Sequence, residues 1–278
     1  MQRITRLLAR CDSRHFADLL ETATAAALEA GKILRSLYAK PHQISHKSDI
    51  NIVTEADIAS EQKIIEVLTA ARKDIAVLAE ESQSNYEAIP MEPVWIIDPL
   101  DGTTNYAHTF PWFGISIAYM ENGEPGVGVI YCPIPDELFC AVRGSGAVLN
   151  GEPITVSGTD NMLQSLVATG FPYDINERLN EIVSILYAVL PAVQDVRRAG
   201  AAALDLAYVA CGRLDGFWET NLKPWDTAAG QLLVTEAGGK ITDFSGEHYS
   251  PFVPEVLATN GRIHGGLVQL LEDYSRRP

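Results

Sequence analysis

Two aspartates three residues apart, Asp98 and Asp101, close an apolar run that begins at Trp95, and Gly102, Thr103, Thr104 and Asn105 follow them. Trp95 to Ile97 has the composition of a buried strand, and Pro99 is expected to stop further ladder pairing, so both carboxylates should emerge where the strand ends. Two acids so placed repel each other. A hard cation removes that repulsion, because Mg²⁺ prefers carboxylate oxygens, and the carbonyl of Leu100 offers one more oxygen between them. Gly102 to Asn105 then present backbone N–H groups at the start of a helix, a seat for phosphate. A plain strand-to-helix turn, with one aspartate as the cap and Gly102 in an unusual backbone conformation, explains one acid but not both.

Further acids stand at similar places. Glu80 and Glu81 follow the expected strand Ile75 to Ala79, and Asp226, in Trp225-Asp226-Thr227, stands at an expected helix start far along the chain. Asp57 closes Thr54-x-x-Asp57, close to a capping box. Taken singly, Glu80 is a solvated strand end, Asp226 an N-cap and Asp57 a capping residue. Their joint appearance favours a two-cation site, which needs several bridging carboxylates.

The chain has 278 residues, 47% of them hydrophobic, enough for a large core. A formal charge of −15 lacks the basic face that a nucleic-acid binder needs, so no direct nucleic-acid partner is expected. Bound divalent cations would reverse that sign locally for an anionic substrate. Cys11, Cys132, Cys140 and Cys211 form no Cys-x-x-Cys pair, which argues against zinc and disulfides and for a reducing cytoplasm. No signal peptide or membrane span is expected, because Asp12 to His15 interrupt the arginine-bearing start and no other apolar run is long enough.

Phe16, Leu19, Leu20, Ala23, Ala27 and Leu34 recur at helical spacing before Pro41. A polar loop through Lys47, Ser48, Asp49 and Asn51 leads to a second helix with Ile58, Ile65 and Leu68 on one side. Strands are expected at Ile75 to Ala79, Val94 to Ile97, Gly114 to Tyr119, Val127 to Tyr131 and Leu138 to Val142, and later at Leu166 to Thr169, Gly216 to Glu219, Lys240 to Asp243 and Val256 to Thr259. Helices are expected at Asn180 to Leu190, Ala201 to Cys211, Thr227 to Ala237 and Ile263 to Leu271. The pattern divides into an α+β half, residues 1–150, carrying the metal and phosphate residues, and an α/β half, residues 151–278, contributing Asp226 and substrate recognition. The two halves should pack as one unit with the site in the cleft between them.

Ala79-Glu80-Glu81-Ser82, the stretch from Trp95 to Tyr106, and Trp225-Asp226-Thr227-Ala228-Ala229-Gly230 leading to Thr235-Glu236-Ala237-Gly238-Gly239 together resemble the inositol monophosphatase family of lithium-sensitive, Mg²⁺-dependent sugar phosphatases. The resemblance runs from about Phe16 to Leu271, and Gly200 to Glu219 looks like the bacterial branch. It implies an α/β fold, a layered α/β/α/β/α sandwich of the sugar phosphatase type, often a homodimer. It implies two or three Mg²⁺ ions, with Glu80, Asp98 and the Leu100 carbonyl on the first, and Asp98, Asp101 and Asp226 on the second. Glu80 and the pair Asp57 and Thr103 would orient and deprotonate waters, Gly102 and Thr103 N–H groups would grip phosphate, and Lys47 matches a lysine near the metal-bound waters. Glu219 matches a glutamate that binds sugar hydroxyls, and Ala202 a residue that contacts them through its backbone. Ala201 departs from an expected Ser or Thr, which removes one hydroxyl contact. Arg197, Arg198 and Lys223 are candidates for the far end of the substrate, unless Arg198 pairs with Asp205 or all three are exposed.

The reading is a Mg²⁺-dependent phosphomonoesterase acting on a small polyol phosphate, with myo-inositol 1-phosphate foremost, through metal-activated water. The alternatives are a fructose 1,6-bisphosphatase, a nucleotide 3'-phosphatase, or a protein-binding factor of transcription complexes that keeps the fold.

Overall fold

The computed structural model describes residues 2–47, 51–82, 84–86 and 88–275, with side chains through residue 272. Ser48 and Asp49 of the expected polar loop lie outside the described residues. The helices are α1 (Thr5–Leu8), α2 (Arg14–Leu37), α3 (Glu55–Ala71), α4 (Thr103–Ala107), α5 (Ile175–Val189), α6 (Ala202–Ala210), α7 (Pro224–Glu236) and α8 (His264–Ser275). The strands are β1 (Ile44–His46), β2 (Ile52–Thr54), β3 (Ala76–Ala79), β4 (Val94–Asp101), β5 (Gly114–Glu121), β6 (Glu124–Cys132), β7 (Glu137–Val142), β8 (Gly146–Leu149), β9 (Glu152–Pro153), β10 (Leu166–Thr169), β11 (Asp195–Arg197), β12 (Gly216–Thr220), β13 (Lys240–Thr242) and β14 (Glu255–Thr259).

Helices α2 and α3 form the first layer. The Ser13 hydroxyl accepts from Phe16 N at 3.2 Å to start α2. That helix buries Leu19, Leu20, Ala23, Ala27, Ala30 and Leu34 against the seven-stranded sheet β3-β4-β5-β6-β7-β8-β9. Gly31 faces the ring of Tyr131 so closely that any Cβ there would collide with it. On the other face of this sheet lie α6 and α7, whose Leu204, Leu206, Ala228, Ala229 and Leu233 share a core with Ile96, Ala118, Ile130 and Phe139. The mixed sheet β11-β10-β12-β14-β13 forms the fourth layer, and α5 and α8 close the fifth through Ile185, Val189, Leu267 and Leu271. The result is an α/β/α/β/α sandwich. Because helices cover both faces of each sheet, β5 and β6 are buried along nearly their whole length, which explains their unbroken apolar runs.

The middle layer joins the two halves of the chain. Helix α7 belongs to the second half yet packs on β4 to β8 of the first, and Ser116 Oγ of β5 donates to the Trp225 carbonyl at 3.0 Å. Gly151 lies in the turn between β8 and β9, at the margin of the first sheet.

One local expectation is corrected. Pro99 does not end β4; pairing with β5 resumes at Asp101, with Asp98 opposite Ser116 and Asp101 opposite Gly114. Three steps along β4 match two along β5, so the proline, which has no N–H to give, sits in a bulge. The short strands β8, β9 and β11 also went unmarked in the sequence. Gly144, Gly146 and Gly151 disguise the first two, and β11 is a charged edge strand.

His264 begins α8 between two hydroxyls, with Thr259 Oγ1 at 2.9 Å from Nδ1 and Thr242 Oγ1 at 3.0 Å from Nε2. Burial, helped by the positive charge of Lys240, pushes its pKa down to about 4. The unfolded chain therefore binds a proton that the folded one refuses, and the neutral ring's contribution is present above the unfolded pKa and lost as pH falls toward 4. Urea unfolding should reveal a loss of roughly 2–3 kcal/mol from this group between pH 6.5 and 4. His264→Gln should be less stable than wild type at pH 7 and nearer to it at pH 4; a constant difference would refute the assignment.

Candidate active site

The bulge in β4 decides where the two aspartates point. In a regular strand, side chains three residues apart face opposite ways; one inserted residue restores a common side. Asp98 and Asp101 are both buried and interact electrostatically with each other and with Glu80, at the end of the adjacent parallel strand β3. Asp226 joins them from the third residue of α7, reached across the middle layer. Ser60 Oγ of α3 holds the bulge by donating to the Pro99 carbonyl at 2.7 Å.

Each of the three aspartates also has a backbone partner that fixes its direction. Asp98 Oδ1 accepts from Leu100 N at 2.9 Å, Asp101 Oδ2 from Ala203 N at 2.7 Å, and Asp226 Oδ2 from Lys223 N at 2.6 Å. Asp101 thereby caps α6, whose own N-cap, Ala201, has no side-chain acceptor. Each carboxylate thus has a second oxygen outside these bonds. Lys47 Nζ reaches Glu80 at 2.9 Å and Glu81 at 2.6 Å, and their negative charge raises its pKa against the cost of burial.

Burial first, and neighbouring acids second, push Asp98 and Asp226 well above the usual carboxylate range. Burial likewise raises Asp101 and Glu81 to about 7. Such a donor set fits hard divalent cations, which replace mutual repulsion with attraction. Among the described residues no three His, Cys, Asp or Glu side chains close into a cage. Water and substrate oxygens would therefore complete any coordination shell, as Mg²⁺ prefers.

Beside the acids lies a hydroxyl relay. Thr103 Oγ1, at the first position of α4, is 2.7 Å from Asp57 Oδ1 and 3.1 Å from the Leu100 carbonyl. One hydroxyl proton serves one acceptor at a time, and the shorter contact to the carboxylate leaves the Leu100 oxygen open to a cation and the Thr103 lone pairs open to a water. Asp57 Oδ2 meanwhile accepts from Thr54 N at 2.8 Å and Thr54 Oγ1 at 2.6 Å, so the capping box and the relay are the same residue used twice. Gly102 takes φ +95°, and a Cβ there would stand 3.0 Å from the Trp112 carbonyl.

The other sequence candidates separate. Glu219 is buried on β12, with its carboxylate pressed against Gly170 just beyond the end of β10. Ala202 opens α6 above Asp101. Lys223 contributes its backbone N–H to Asp226, while its ammonium lies 3.3 Å from Asn221 Oδ1. Arg197 is exposed on β11 and bonds Asp195 at 2.5 Å, so its contacts tie it to its own strand and not to the acid cluster. Arg198 makes no ion pair with Asp205; like Arg197 and Lys223 it is exposed, with its guanidinium stacked on Phe171 at 5.2 Å. Sequence reasoning missed Tyr173, which interacts electrostatically with Glu80, Asp98, Asp101 and Asp226. Its signal was the run Gly170-Phe171-Pro172-Tyr173 directly after a strand.

A carboxylate whose folded pKa is raised stabilises the fold below its unfolded pKa, and that contribution is lost as pH rises through the folded value. Chelated protein should therefore melt at lower temperature at pH 8 than at pH 6, and Mg²⁺ should recover the difference. Asp98→Asn and Asp226→Asn should raise the melting temperature of chelated protein at pH 8, by about 5 °C, while weakening the rise on adding Mg²⁺. Unchanged Mg²⁺ stabilisation in both variants would refute the donor set.

The chain matches the model of the inositol monophosphatase family over residues 16–276. It is 44% identical to an inositol-1-monophosphatase from Synechocystis over 91% of this chain and 88% of that protein. It is 39% identical to the Nus factor SuhB of Escherichia coli over 92% of this chain and 96% of that one. Among solved structures, the extragenic suppressor protein suhB of Bartonella henselae superposes with a TM-score of 0.86 at 40% identity, covering 91% of this chain and 98% of that chain. The inositol monophosphatase of Anabaena superposes with a TM-score of 0.83 at 43% identity, covering 92% and 96%. With the layered fold, the acid cluster on the β4 bulge and the match over almost its whole length, this chain belongs to the inositol monophosphatase family.

Proposed function

We propose that this protein is a Mg²⁺-dependent phosphomonoesterase for small polyol phosphates, with myo-inositol 1-phosphate as the foremost substrate. The observation that carries this reading is the Asp57–Thr103 relay beside four acids drawn from β3, β4 and α7. Glu80, Asp98, the Leu100 carbonyl, Asp101 and Asp226 would hold two or three Mg²⁺ ions. When bound, Mg²⁺ supplies charge neutralisation for the phosphate ester and an acidified water.

The chain's own residues do the rest. Asp57 accepts the Thr103 proton bond, so the Thr103 oxygen can accept from the attacking water and hold it in line with phosphorus. Glu80 takes part in orienting and deprotonating water, and Lys47, bridging Glu80 and Glu81, offsets the local negative charge. Gly102 and Thr103 N–H groups grip the phosphate, while the Ala202 backbone and Glu219 face the polyol. Residues 1–150 thus supply metal and phosphate contacts, and residues 151–278 supply Asp226 and the polyol side. The unpaired cysteines, with Cys132 and Cys140 buried, suit a reducing cytoplasm. Among the described residues no helix is long and apolar enough to cross a membrane.

The transcription-complex alternative draws support from the relatives named Nus factor SuhB. The full carboxylate set favours chemistry, because a docking module would be more stable without four mutually repelling acids. A homodimer is supported by Leu179, Val183 and Tyr187, an exposed apolar stripe at helical spacing along α5 that continues to Leu190 at its C-cap, with Tyr187 77% exposed. Sedimentation should give twice the monomer mass, and Val183→Glu with Tyr187→Glu should give a folded monomer; an unchanged dimer would place the interface elsewhere.

Phosphate release from inositol 1-phosphate should require Mg²⁺, and Asp98→Asn or Asp226→Asn should lower kcat/KM by roughly a thousandfold or more. Li⁺ at roughly millimolar concentration should inhibit without competing with substrate, as an ion entering a metal position after phosphate transfer would. Wild-type rates in either variant at saturating Mg²⁺ would overturn the metal assignment. Assays with fructose 1,6-bisphosphate and adenosine 3'-phosphates place the two enzymatic alternatives beside it.

A further inference from the structure

Arg198 is a cation without an anion. No described carboxylate lies within 4.0 Å of it, and it donates no hydrogen bond to a described residue, although Asp205 and Glu219 lie within electrostatic reach. Long basic side chains left this way usually wander in solvent. This one is held. Its guanidinium lies over the Phe171 ring, and Nη1 packs on Gly200, where any Cβ would collide with it. Gly200 has φ +87°, a conformation that favours glycine.

The turn bearing Arg198 is fastened to the phosphate-binding segment. Asn105 Nδ2 of α4 donates to the Trp112 carbonyl at 2.7 Å and to the Ala199 carbonyl at 2.9 Å, with the Gly200 carbonyl at 3.3 Å. Two positions after Gly200, α6 begins on the Asp101 cap. On the other side of the stack, Phe171 follows Gly170, against whose Cα the Glu219 carboxylate lies. The order in space is Glu219, Gly170, Phe171, Arg198, Gly200, Asn105. A buried acceptor and an exposed donor lying over Phe171 therefore stand on the two sides of one short loop, both linked to the segment proposed to bind phosphate.

We propose that Arg198 is a specificity-determining residue of the phosphatase site, donating to the hydroxyls of the polyol while Glu219 accepts from them, so that the pocket selects a polyol monophosphate. This rests on the phosphatase reading for the position of the phosphate. A second phosphate at Arg198 is the competing occupant, but one guanidinium would have to offset a dianion beside two buried acids, Glu219 and Asp205, the latter with an Oδ1 that has no hydrogen-bond partner. Neutral hydroxyls carry no such penalty and use donor and acceptor together.

The test compares wild type, Arg198→Gln and Arg198→Lys in two measurements. The first is calorimetric binding of myo-inositol 1-phosphate and of inorganic phosphate, with Ca²⁺ replacing Mg²⁺ to suppress turnover. The second is kcat/KM in Mg²⁺ with inositol 1-phosphate, p-nitrophenyl phosphate and fructose 1,6-bisphosphate. Arg198→Gln should weaken binding and kcat/KM for inositol 1-phosphate by roughly ten- to a hundredfold, mainly through KM, and at least tenfold more than for p-nitrophenyl phosphate or inorganic phosphate. Arg198→Lys should recover part of that loss. Equal losses on all ligands, or no loss, overturn the proposal, and a larger loss on the bisphosphate assigns Arg198 to a second phosphate instead. A wild type that hydrolyses none of the esters overturns the phosphatase reading, while Arg198-dependent binding of inositol 1-phosphate would still uphold this one.

Discussion

Repulsion among buried carboxylates is the constraint around which this molecule is arranged. Asp98, Asp101 and Asp226 converge with Glu80 where water is largely excluded, and their raised pKa values express the cost of keeping charge there. A fold tolerates such a cost only if the rest of the structure holds the acids in place. Here a proline-containing bulge, a helix cap and a helix N-terminus do so, each through a backbone N–H bonded to one carboxylate oxygen. The fold supplies geometry, and cations would supply the missing attraction.

The same bonds bind the two halves of the chain to each other. Asp101 belongs to the first sheet but caps a helix of the second half, Asn105 holds the turn before that helix, and Ser116 fastens the start of α7. The residues proposed to meet phosphate and polyol consequently cannot shift independently. Preorganisation of this kind matters for in-line attack at phosphorus, where small misplacements are costly. Asp57 shows the economy of the arrangement, since one carboxylate ends the strain of a helix start with one oxygen and polarises Thr103 with the other.

Much of this was legible in the residues. Apolar periodicity located α2, and unbroken apolar runs located the strands β4 to β7, because burial on one helix face or on both faces of a sheet leaves such a pattern. Helix α3 was placed, but of its expected stripe Ile58 is exposed, and the helix buries Ser60, Glu61 and Ile64 beside Leu68. The joint appearance of acids at strand ends and helix starts pointed to Glu80, Asp98, Asp101 and Asp226, each of which has a plain structural reading when taken singly. Short or charged elements such as β9 and β11 were not legible, because two or three residues carry no period.

What the sequence determined by itself was therefore chemical identity and local form: which acids exist, which segments are helix or strand, and that a cation would reconcile them. Tertiary structure alone decided direction and company. The β4 bulge turned Asp98 and Asp101 to one side although Pro99 had implied a strand end, and the β10–β12 register set Gly170 against Glu219. Adjacent arginines also parted, Arg197 to Asp195 on its own strand and Arg198 onto Phe171. These outcomes hang on contacts between residues tens of positions apart, and side-chain direction in a strand alternates at every residue, so one insertion or one step of register reverses it.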